Sequence, residues 1–261
     1  MTCTGSLISP RHVLTAAHCV ADYDAERNVT CDGRERVLKA SIVEPKNITV
    51  FTGTFCRHQV ACGNRQRVRK VIAHKNWKRC VQSSVLLNNI LEVHDFAILE
   101  LEKNISYEEA VPICLPSENL RLQRALYGAG SGWDSKSRHP GIKVATFTLQ
   151  AEEHRNSILL TSSRDTSACG GDSGGPLFQL GPLGRFVIVG VLSGGYGDTK
   201  CKRPYFANTY GDVRKHLCWI CRHSGVCPKA TRVRTRDGRL RKMIEGLHRV
   251  YMHVREKAGK F

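Results

Sequence analysis

The sequence has no apolar run long enough for a membrane-spanning helix. Such a helix takes about 20 consecutive apolar residues, whereas the longest candidate, Phe186–Leu192, is short and is soon followed by two glycines. We therefore predict that this run is a buried strand and that the protein is not transmembrane. No internal repeat at a fixed short period is present. Residues 1–20 also lack an export signal, because they have no basic leader and Pro10–His12 interrupts any apolar stretch.

The chain nevertheless has the composition of a secreted protein. Its twelve cysteines indicate an oxidising compartment and disulfide bonds. Three sequons, at Asn28, Asn47 and Asn104, predict a glycoprotein. Because a secreted composition without an export signal is inconsistent, we expect the chain to be truncated at its N-terminus.

Acidic residues are scarce, and the positive charge is concentrated in two segments. The 261 residues include 23 Asp and Glu against 40 Lys and Arg, a net charge of +17. Residues 57–79 hold eight basic residues and no acidic one, and residues 228–261 hold eleven against three. This placement predicts binding of sulfated glycan or an anionic surface at 57–79 and 228–261. The alternative is a solvated basic face and tail. The secretory traits argue against nucleic acid.

Short strand-like runs punctuated by turn residues predict an all-β protein. The runs are Val37–Ile42, Ile48–Phe51, Val68–Ile72, Phe96–Leu101, Lys143–Leu149 and Phe186–Leu192. One helix is expected over Asp212–Arg222, and another in a basic tail of residues 228–261, where apolar residues from Leu240 to Val254 form one stripe. The tail helix either packs against a body formed by residues 1–227 or docks on an anionic surface or a partner.

Three short strings carry most of the functional information. They are Leu14–Cys19 (LTAAHC), His94–Leu101 (HDFAILEL) and Gly171–Pro176 (GDSGGP). Their order of His, Asp and Ser resembles the chymotrypsin/trypsin family of serine peptidases, since unrelated serine hydrolases order the three groups differently. The resemblance implies two six-stranded antiparallel barrels, with the first strand missing here and a boundary near residues 115–125. The extra cysteines indicate a divergent, cysteine-rich branch that resembles nematode trypsin-like peptidases.

The three strings match the needs of an acyl-transfer reaction. A serine hydroxyl is a weak nucleophile and needs a base within hydrogen-bond reach. We expect His18 to be this base, Asp95 to orient it, and Ser173 to form the acyl-enzyme. The N–H groups of Gly171 and Ser173 are expected to form the oxyanion hole. The reaction needs no cofactor, and no metal site is predicted.

The resemblance also assigns residues to the substrate site. Ser193 matches the serine that supports the aspartate, and Gly195 and Pro204 fall among the residues that line the pocket. Ser167, six residues before Ser173, matches the floor of the specificity pocket. A neutral floor predicts apolar or aromatic substrates rather than Lys or Arg, because a buried guanidinium without a partner is costly. Gly194 stands where the family has a tryptophan that forms one wall of the substrate groove, and Pro204 stands where it has a glycine that lines the pocket. Asp165 or Asp198 could still supply a negative charge to the pocket.

The resemblance implies two disulfides, Cys3–Cys19 and Cys169–Cys201. The other eight cysteines allow 105 pairings, and the sequence does not choose among them. They are Cys31, Cys56, Cys62, Cys80, Cys114, Cys218, Cys221 and Cys227. The group Cys218, Cys221 and Cys227, with His216 and His223, imitates a zinc site, but disulfides are favoured in an oxidising setting.

Activation is expected to involve Asp172. In the family, the freed ammonium of a new N-terminus pairs with the aspartate before the catalytic serine, and that ammonium is missing from this sequence. We therefore expect a zymogen-type protease whose chain, as given, is inactive and whose Asp172 has no partner. The alternatives are a catalytically inactive homologue that binds polyanions or a protein partner, and a fragment that does not fold without its first strand.

Overall fold

The computed structural model describes residues 2–22, 41–53, 64–84, 87–132, 142–154, 157–196 and 207–228, and only the backbone of 78–92 and 196 within these ranges. The chain divides into two units, Met1–Lys229 and Ala230–Phe261. The second unit lies outside the described residues, as does the expected tail helix. Other predicted sites outside the described residues are Asn28, Asp198, Cys201 and Pro204. The domain limits at residues 227 and 228 therefore stay a prediction.

The described part of the chain is mostly β-structure. Its strands are β1 Ser6–Ser9, β2 His12–Thr15, β3 Ala21–Asp22, β4 Ser41–Ile42, β5 Thr49–Thr52, β6 Asn64–Ala73, β7 Lys78–Ser84, β8 Leu87–Val93, β9 Ala97–Leu101, β10 Ala125–Gly130, β11 Lys143–Glu153, β12 Ile158–Ser162, β13 Pro176–Leu180, β14 Phe186–Tyr196 and β15 Ala207–Asp212. Three 3₁₀ turns lie at Ala17–Val20, Pro45–Asn47 and Val213–Lys215, and one α-helix, α1, spans Leu217–Ser224.

The strands form two halves. The first is an open antiparallel sheet in the order β1-β2-β9-β6-β5, with two-stranded sheets β3-β4 and β7-β8. The second is a closed barrel in the order β10-β11-β12-β15-β14-β13. The fold class predicted from the sequence is therefore confirmed, with a closed six-stranded barrel and a half-barrel sheet. Residues 115–124 of the expected boundary lie between β9 and β10, and the boundary itself stays a prediction.

The hydrophobic core explains why the predicted strands form. In β11, Phe147 is buried while Val144 is exposed, as alternation along a half-buried strand requires. Each half has its own apolar cluster, and a third cluster joins them. This joining cluster combines Leu14, Phe96 and Val191 with Ile220 of α1, so it draws on both halves and on the helix.

The end of the described chain differs from its prediction. A helix was expected to begin at Asp212, but Asp212 ends β15, a 3₁₀ turn follows, and α1 begins only at Leu217. Asp212 accepts a hydrogen bond from the Arg214 backbone and binds its guanidinium, which favours a tight capped turn over a continuous helix. His216, with φ −117° and ψ 8°, interrupts the helical backbone before α1.

No helix among the described residues is long and apolar enough to cross a membrane.

Candidate active site

His18 and Asp95 are brought together by the pairing of two neighbouring strands. His18 lies in the 3₁₀ turn that follows β2, and Asp95 lies two residues before β9. Because β2 and β9 are antiparallel and Thr15 faces Ala97, the end of one strand meets the beginning of the other. Both side chains are buried, with exposed fractions of 5% for His18 and 1% for Asp95.

The contacts between these two residues fix both the imidazole and its backbone. His18 Nδ1 lies 2.6 Å from Asp95 Oδ2, and the His18 backbone N–H donates to Asp95 Oδ1 at 2.8 Å. A carboxylate accepts, so Nδ1 carries the proton and the lone pair of the neutral ring is on Nε2. This is the tautomer that a general base on Nε2 requires.

Asp95 receives a third hydrogen bond from the other half of the molecule. Ser193 Oγ donates to Asp95 Oδ2 at 2.6 Å. Ser193 lies in β14 of the closed barrel, where the register with β15 shifts between Leu192 and Gly194. A bulge at this point adds a residue to one strand and redirects its side chain. The barrel therefore presents the hydroxyl to a carboxylate that belongs to the opposite half.

The charge of Asp95 is stabilised by these partners. Burial by itself raises the pKa of Asp95, but the electrostatic attraction of His18 and its two hydrogen bonds, with the bond from Ser193, outweigh it. The pKa consequently lies below its ordinary value of 3.8. Asp95 is therefore ionised at neutral pH despite being almost fully buried, as a buried carboxylate with several donors can be.

Ser173 lies in a tight turn, Gly171–Gly175, which we call the glycine turn. Gly171 and Gly174 have φ values of +101° and +79°, which residues with a Cβ rarely adopt. The Ser173 carbonyl accepts from the Thr4 N–H at 2.8 Å, and the Gly174 N–H donates to Leu192 O at 2.8 Å. A Cβ at Gly174 would collide with Thr15 Oγ1 and Thr4 O. The turn is therefore packed against the segment that leads to His18.

Thr4 connects the first half of the molecule to the glycine turn. Its hydroxyl donates to Gly171 O at 2.8 Å and accepts from the Ser131 N–H at 3.0 Å. Its carbonyl accepts from Thr15 Oγ1 at 2.8 Å. Sequence reasoning missed Thr4. It follows Cys3 with no motif of its own, and the partners of its hydroxyl lie more than 120 residues away in the chain.

Asp172 was expected to lack a partner, and this expectation is wrong. Its Oδ1 accepts from the Gly132 N–H at 2.7 Å, and its Oδ2 accepts from the Cys169 N–H at 2.9 Å. The approach depends on glycine, because a Cβ at Gly130 or Gly132 would run into the Asp172 carboxylate. The carboxylate also raises the pKa of the Tyr210 hydroxyl, although burial is the larger cause. Backbone donors thus hold the side chain that was expected to need an ammonium.

The predicted specificity residues are only partly described. Ser167 is half-buried, and Gly195 is exposed on β14 opposite Asn208. Asp165, a possible alternative source of charge, is exposed. A Cβ at Gly194 would meet nothing closer than Thr209 Oγ1 at 3.4 Å, so its backbone has an open side. These positions leave the predicted preference untested.

The described cysteines form part of the expected disulfide pattern. The Cys3–Cys19 disulfide is present, and it ties the start of the chain to the turn that carries His18. Cys169 is also disulfide-bonded, but its expected partner lies outside the described residues. A further disulfide joins Cys221 to Cys227. This disulfide uses two of the three cysteines in the group that imitates a zinc site in the sequence. Cys114 and Cys218 carry free thiols. The sequon residues Asn47 and Asn104 are exposed.

The closed barrel, the open sheet and the terminal helix together define a chymotrypsin-type fold. The family model described as Trypsin matches residues 1–220, and the chain belongs to this family. The membership confirms the resemblance drawn from the three motifs.

Similar relatives come from insects. The chain is 26% identical to CLIP domain-containing serine protease B15 of Anopheles gambiae, 28% to phenoloxidase-activating enzyme 1 of Spodoptera litura and 29% to CLIP domain-containing serine protease HP8 of Bombyx mori. Each match covers 84% of this chain but only 60%, 58% and 60% of the respective relative. The expected nematode affinity stays a prediction.

Proposed function

We propose that this chain is the peptidase part of a secreted serine endopeptidase. The observation that carries the proposal is the buried pair of His18 and Asp95, with Asp95 also held by Ser193 from the opposite half. A histidine with only a structural role does not need a carboxylate partner that accepts three hydrogen bonds, nor a fixed tautomer with the proton on Nδ1. The cysteines, the disulfides and the exposed sequons support secretion.

In this mechanism Ser173 Oγ attacks the scissile carbonyl while His18 Nε2 accepts its proton. The imidazolium that forms is stabilised by Asp95, whose charge is maintained by its three hydrogen bonds. The N–H groups of Gly171 and Ser173 would stabilise the oxyanion. The anchored backbone of the glycine turn supports this role, because preorganised donors need no reorientation during the reaction. His18 then returns the proton to the leaving amine, and water hydrolyses the acyl-enzyme.

The test is a fluorophosphonate probe, which reacts covalently with an activated serine. The mature secreted protein is expected to be labelled once per chain, and Ser173→Ala should abolish labelling, whereas the exposed Ser41→Ala should not change it. Labelling that persists in Ser173→Ala, or no labelling of the mature protein, would contradict the proposal. The second outcome would favour an inactive homologue.

The same probe tests the role proposed for Asp172. The family pattern pairs this residue with a freed ammonium, so the protein before its activating cleavage is expected to be labelled much more slowly than the mature protein. Equal rates would show that the backbone donors at Gly132 and Cys169 suffice to organise the turn. That result would remove the activation step and leave the catalytic proposal intact.

We propose an apolar or aromatic preference for the residue before the scissile bond. Ser167 is neutral and half-buried at the expected floor position, while the nearby carboxylate of Asp165 is exposed to solvent. The relative from Spodoptera litura is named for activating phenoloxidase, which favours a protein substrate here too. Peptides that differ only at this residue are expected to give kcat/KM at least tenfold higher for Phe or Leu than for Arg. Ser167→Asp should shift the preference toward Arg, and a wild-type preference for Arg or Lys would show that the floor assignment is wrong.

A second function, binding of a sulfated glycan, is favoured by β6. Three arginines alternate along one exposed face of this strand, while Val68 on the other face is buried: they are Arg65, Arg67 and Arg69. Arg69 is paired with Glu100 at 3.3 Å, so Arg65 and Arg67 are the residues on which binding would depend. The double variant Arg65→Gln/Arg67→Gln is expected to elute from heparin at clearly lower salt, since such binding scales with the number of cations. The exposed Arg124→Gln is the matched control, and equal elution of both variants would refute the site.

A further inference from the structure

Three histidines from distant parts of the chain meet beside one another, and one of them, His94, is the residue before Asp95. His74 follows β6, His94 precedes Asp95, and His216 lies between the last 3₁₀ turn and α1. Each offers one ring nitrogen, and these three atoms all lie within 4.8 Å of one another. The rings of His74 and His94 are stacked with their centroids 4.9 Å apart, and those of His94 and His216 are 5.2 Å apart. We call this group the histidine cluster.

We propose that the histidine cluster binds a zinc ion. A hydrogen bond that would orient one of the ligands is already present at His216, whose Nδ1 lies 2.8 Å from the Asp212 carbonyl oxygen. A carbonyl only accepts, so the proton is on Nδ1 and the lone pair on Nε2. Histidine ligands of zinc characteristically donate their other N–H in this way. The Nε2 lone pair faces His94 Nδ1 at 2.9 Å.

The contact between His94 and His216 is one that a metal ion can replace. Because His216 Nε2 accepts, His94 Nδ1 must donate, and one proton lies between the two nitrogens. Two nitrogens bound to tetrahedral zinc at 2.0–2.1 Å are about 3.3 Å apart. A separation of 2.9 Å therefore needs only a small opening of the pair. Zinc would take the place of the shared proton on His94 Nδ1, and the His94 ring would stay neutral by changing tautomer, with its proton on Nε2.

His74 completes the set of three protein ligands. It is half-buried, so the cluster has access to solvent on this side. Its Nδ1 accepts a long hydrogen bond of 3.3 Å from the Asn76 N–H, which is weak enough to yield to a metal ligand. Three imidazoles with a water in the fourth position form a known kind of zinc coordination.

The surroundings of the histidine cluster are largely aromatic. Burial lowers the pKa of His74 and of His216 to about 4; His216 and His94 also lower that of His74, whereas Asp212 opposes the shift at His216. The charged neighbours are Lys75 and His223 beside His74, and Asp212 beside His216. Trp219 packs on His74 at 5.1 Å, and Phe96 stacks on His216 at 4.1 Å. The cluster is thus lined by aromatic rings on two sides.

The position of His94 gives the site a consequence for Asp95. His94 has a φ of +55°, a strained value for a residue with a Cβ, and its carbonyl accepts from the Phe96 N–H at 2.8 Å. Zinc bound to His94 would restrain the backbone immediately before Asp95 and join β9 to the segment before α1. We expect it to stabilise the fold around the carboxylate.

The test uses Co²⁺ as a spectroscopic probe on the full 261-residue chain with its disulfides intact. One ion per chain should bind, with the visible absorption of tetrahedral cobalt and no thiolate charge-transfer band, and Zn²⁺ should displace it. His74→Gln is expected to weaken binding at least tenfold. His154→Gln, at an exposed histidine outside the cluster, is the matched control and should bind normally. His74 is chosen because it is half-buried, so its replacement is not expected to unfold the chain.

A thermal melt provides a second readout that does not depend on absorption. At a hundredfold excess of Zn²⁺ over Kd, the melting temperature of the wild-type chain should rise by about 5 to 10 °C. His74→Gln should melt normally without metal and show no such rise. Undiminished binding to His74→Gln, a charge-transfer band from Cys114 or Cys218, or no binding to the wild type would each overturn the proposal.

Discussion

Removal of the Ser193 hydroxyl should weaken the folded state through the charge of Asp95. Ser193→Ala deletes a 2.6 Å hydrogen bond to a carboxylate that is only 1% exposed. A hydrogen bond to a charged group contributes about 1.5 to 3 kcal/mol. Asp95 keeps its two bonds from His18, so the expected loss is in the lower half of this range, about 2 kcal/mol. For a domain of this size, that corresponds to a fall of about 4 to 8 °C in melting temperature.

The pH dependence identifies the cause of this loss. The pKa of Asp95 is lowered in the folded state from its ordinary 3.8, so its contribution to stability is complete above 3.8 and disappears as the pH falls through the folded value. Ser193→Ala moves the folded pKa back toward 3.8. The difference between variant and wild type should therefore be full at pH 7 and shrink below pH 3.8.

The assay is reversible urea unfolding from pH 7 to pH 3 with the disulfides oxidised. Ser6→Ala is the matched control, because Ser6 is also buried but its hydroxyl has no hydrogen-bond partner among the described residues. It should cost little or slightly stabilise the chain. A loss in Ser193→Ala that is no larger than the control, or one that is equal at pH 7 and pH 3, would refute the reasoning.

Two further substitutions probe the frame around the site. Arg214→Met leaves two carboxylates without their buried cation, so urea unfolding should show that the free energy of unfolding falls by about 3 kcal/mol. The control Arg185→Met, at an exposed arginine, should change stability little. A loss below 1 kcal/mol in Arg214→Met would contradict the prediction. Gly132→Ala places a Cβ 2.5 Å from Asp172 Oδ1, so fluorophosphonate labelling should slow at least tenfold. Gly170→Ala is the control, because its Cβ meets nothing within 4 Å, and it should be labelled normally. Equal labelling rates of the two variants would show that the close approach of Gly132 to Asp172 does not matter for the reaction.

The sequence predicted those features that rest on local patterns. The runs Phe96–Leu101 and Phe186–Leu192 coincide with β9 and part of β14, because alternation and apolar content are properties of a few consecutive residues. The motif around His18 and the one around Asp95 led to a pair that the structure brings within 2.6 Å. Their catalytic roles, and that of Ser173, stay predictions.

Contacts between distant residues could not be predicted in this way. The histidine cluster combines residues 74, 94 and 216, and no periodicity relates such positions. Arg214 looked like one of many basic residues near the C-terminus, yet it is buried and binds Asp212, Glu152 and the Leu120 carbonyl. Likewise, the partners of Asp172 are backbone N–H groups, which every sequence has and no sequence marks. Only the folded chain shows which of these groups meet.

The burial of Asp95 depends on packing between the two halves of the molecule. Phe96, the next residue, is completely buried, and a Cβ at Gly211 of the barrel would lie only 2.6 Å from its ring. The ring of Phe96 also stacks on His216. The ring thus contacts both the barrel and the segment before α1, so a shift of one half relative to the other would also move the carboxylate away from Ser193. Substitutions at Gly211 should therefore affect stability and the His18–Asp95 geometry together, although neither Gly211 nor Phe96 carries a group that takes part in the chemistry.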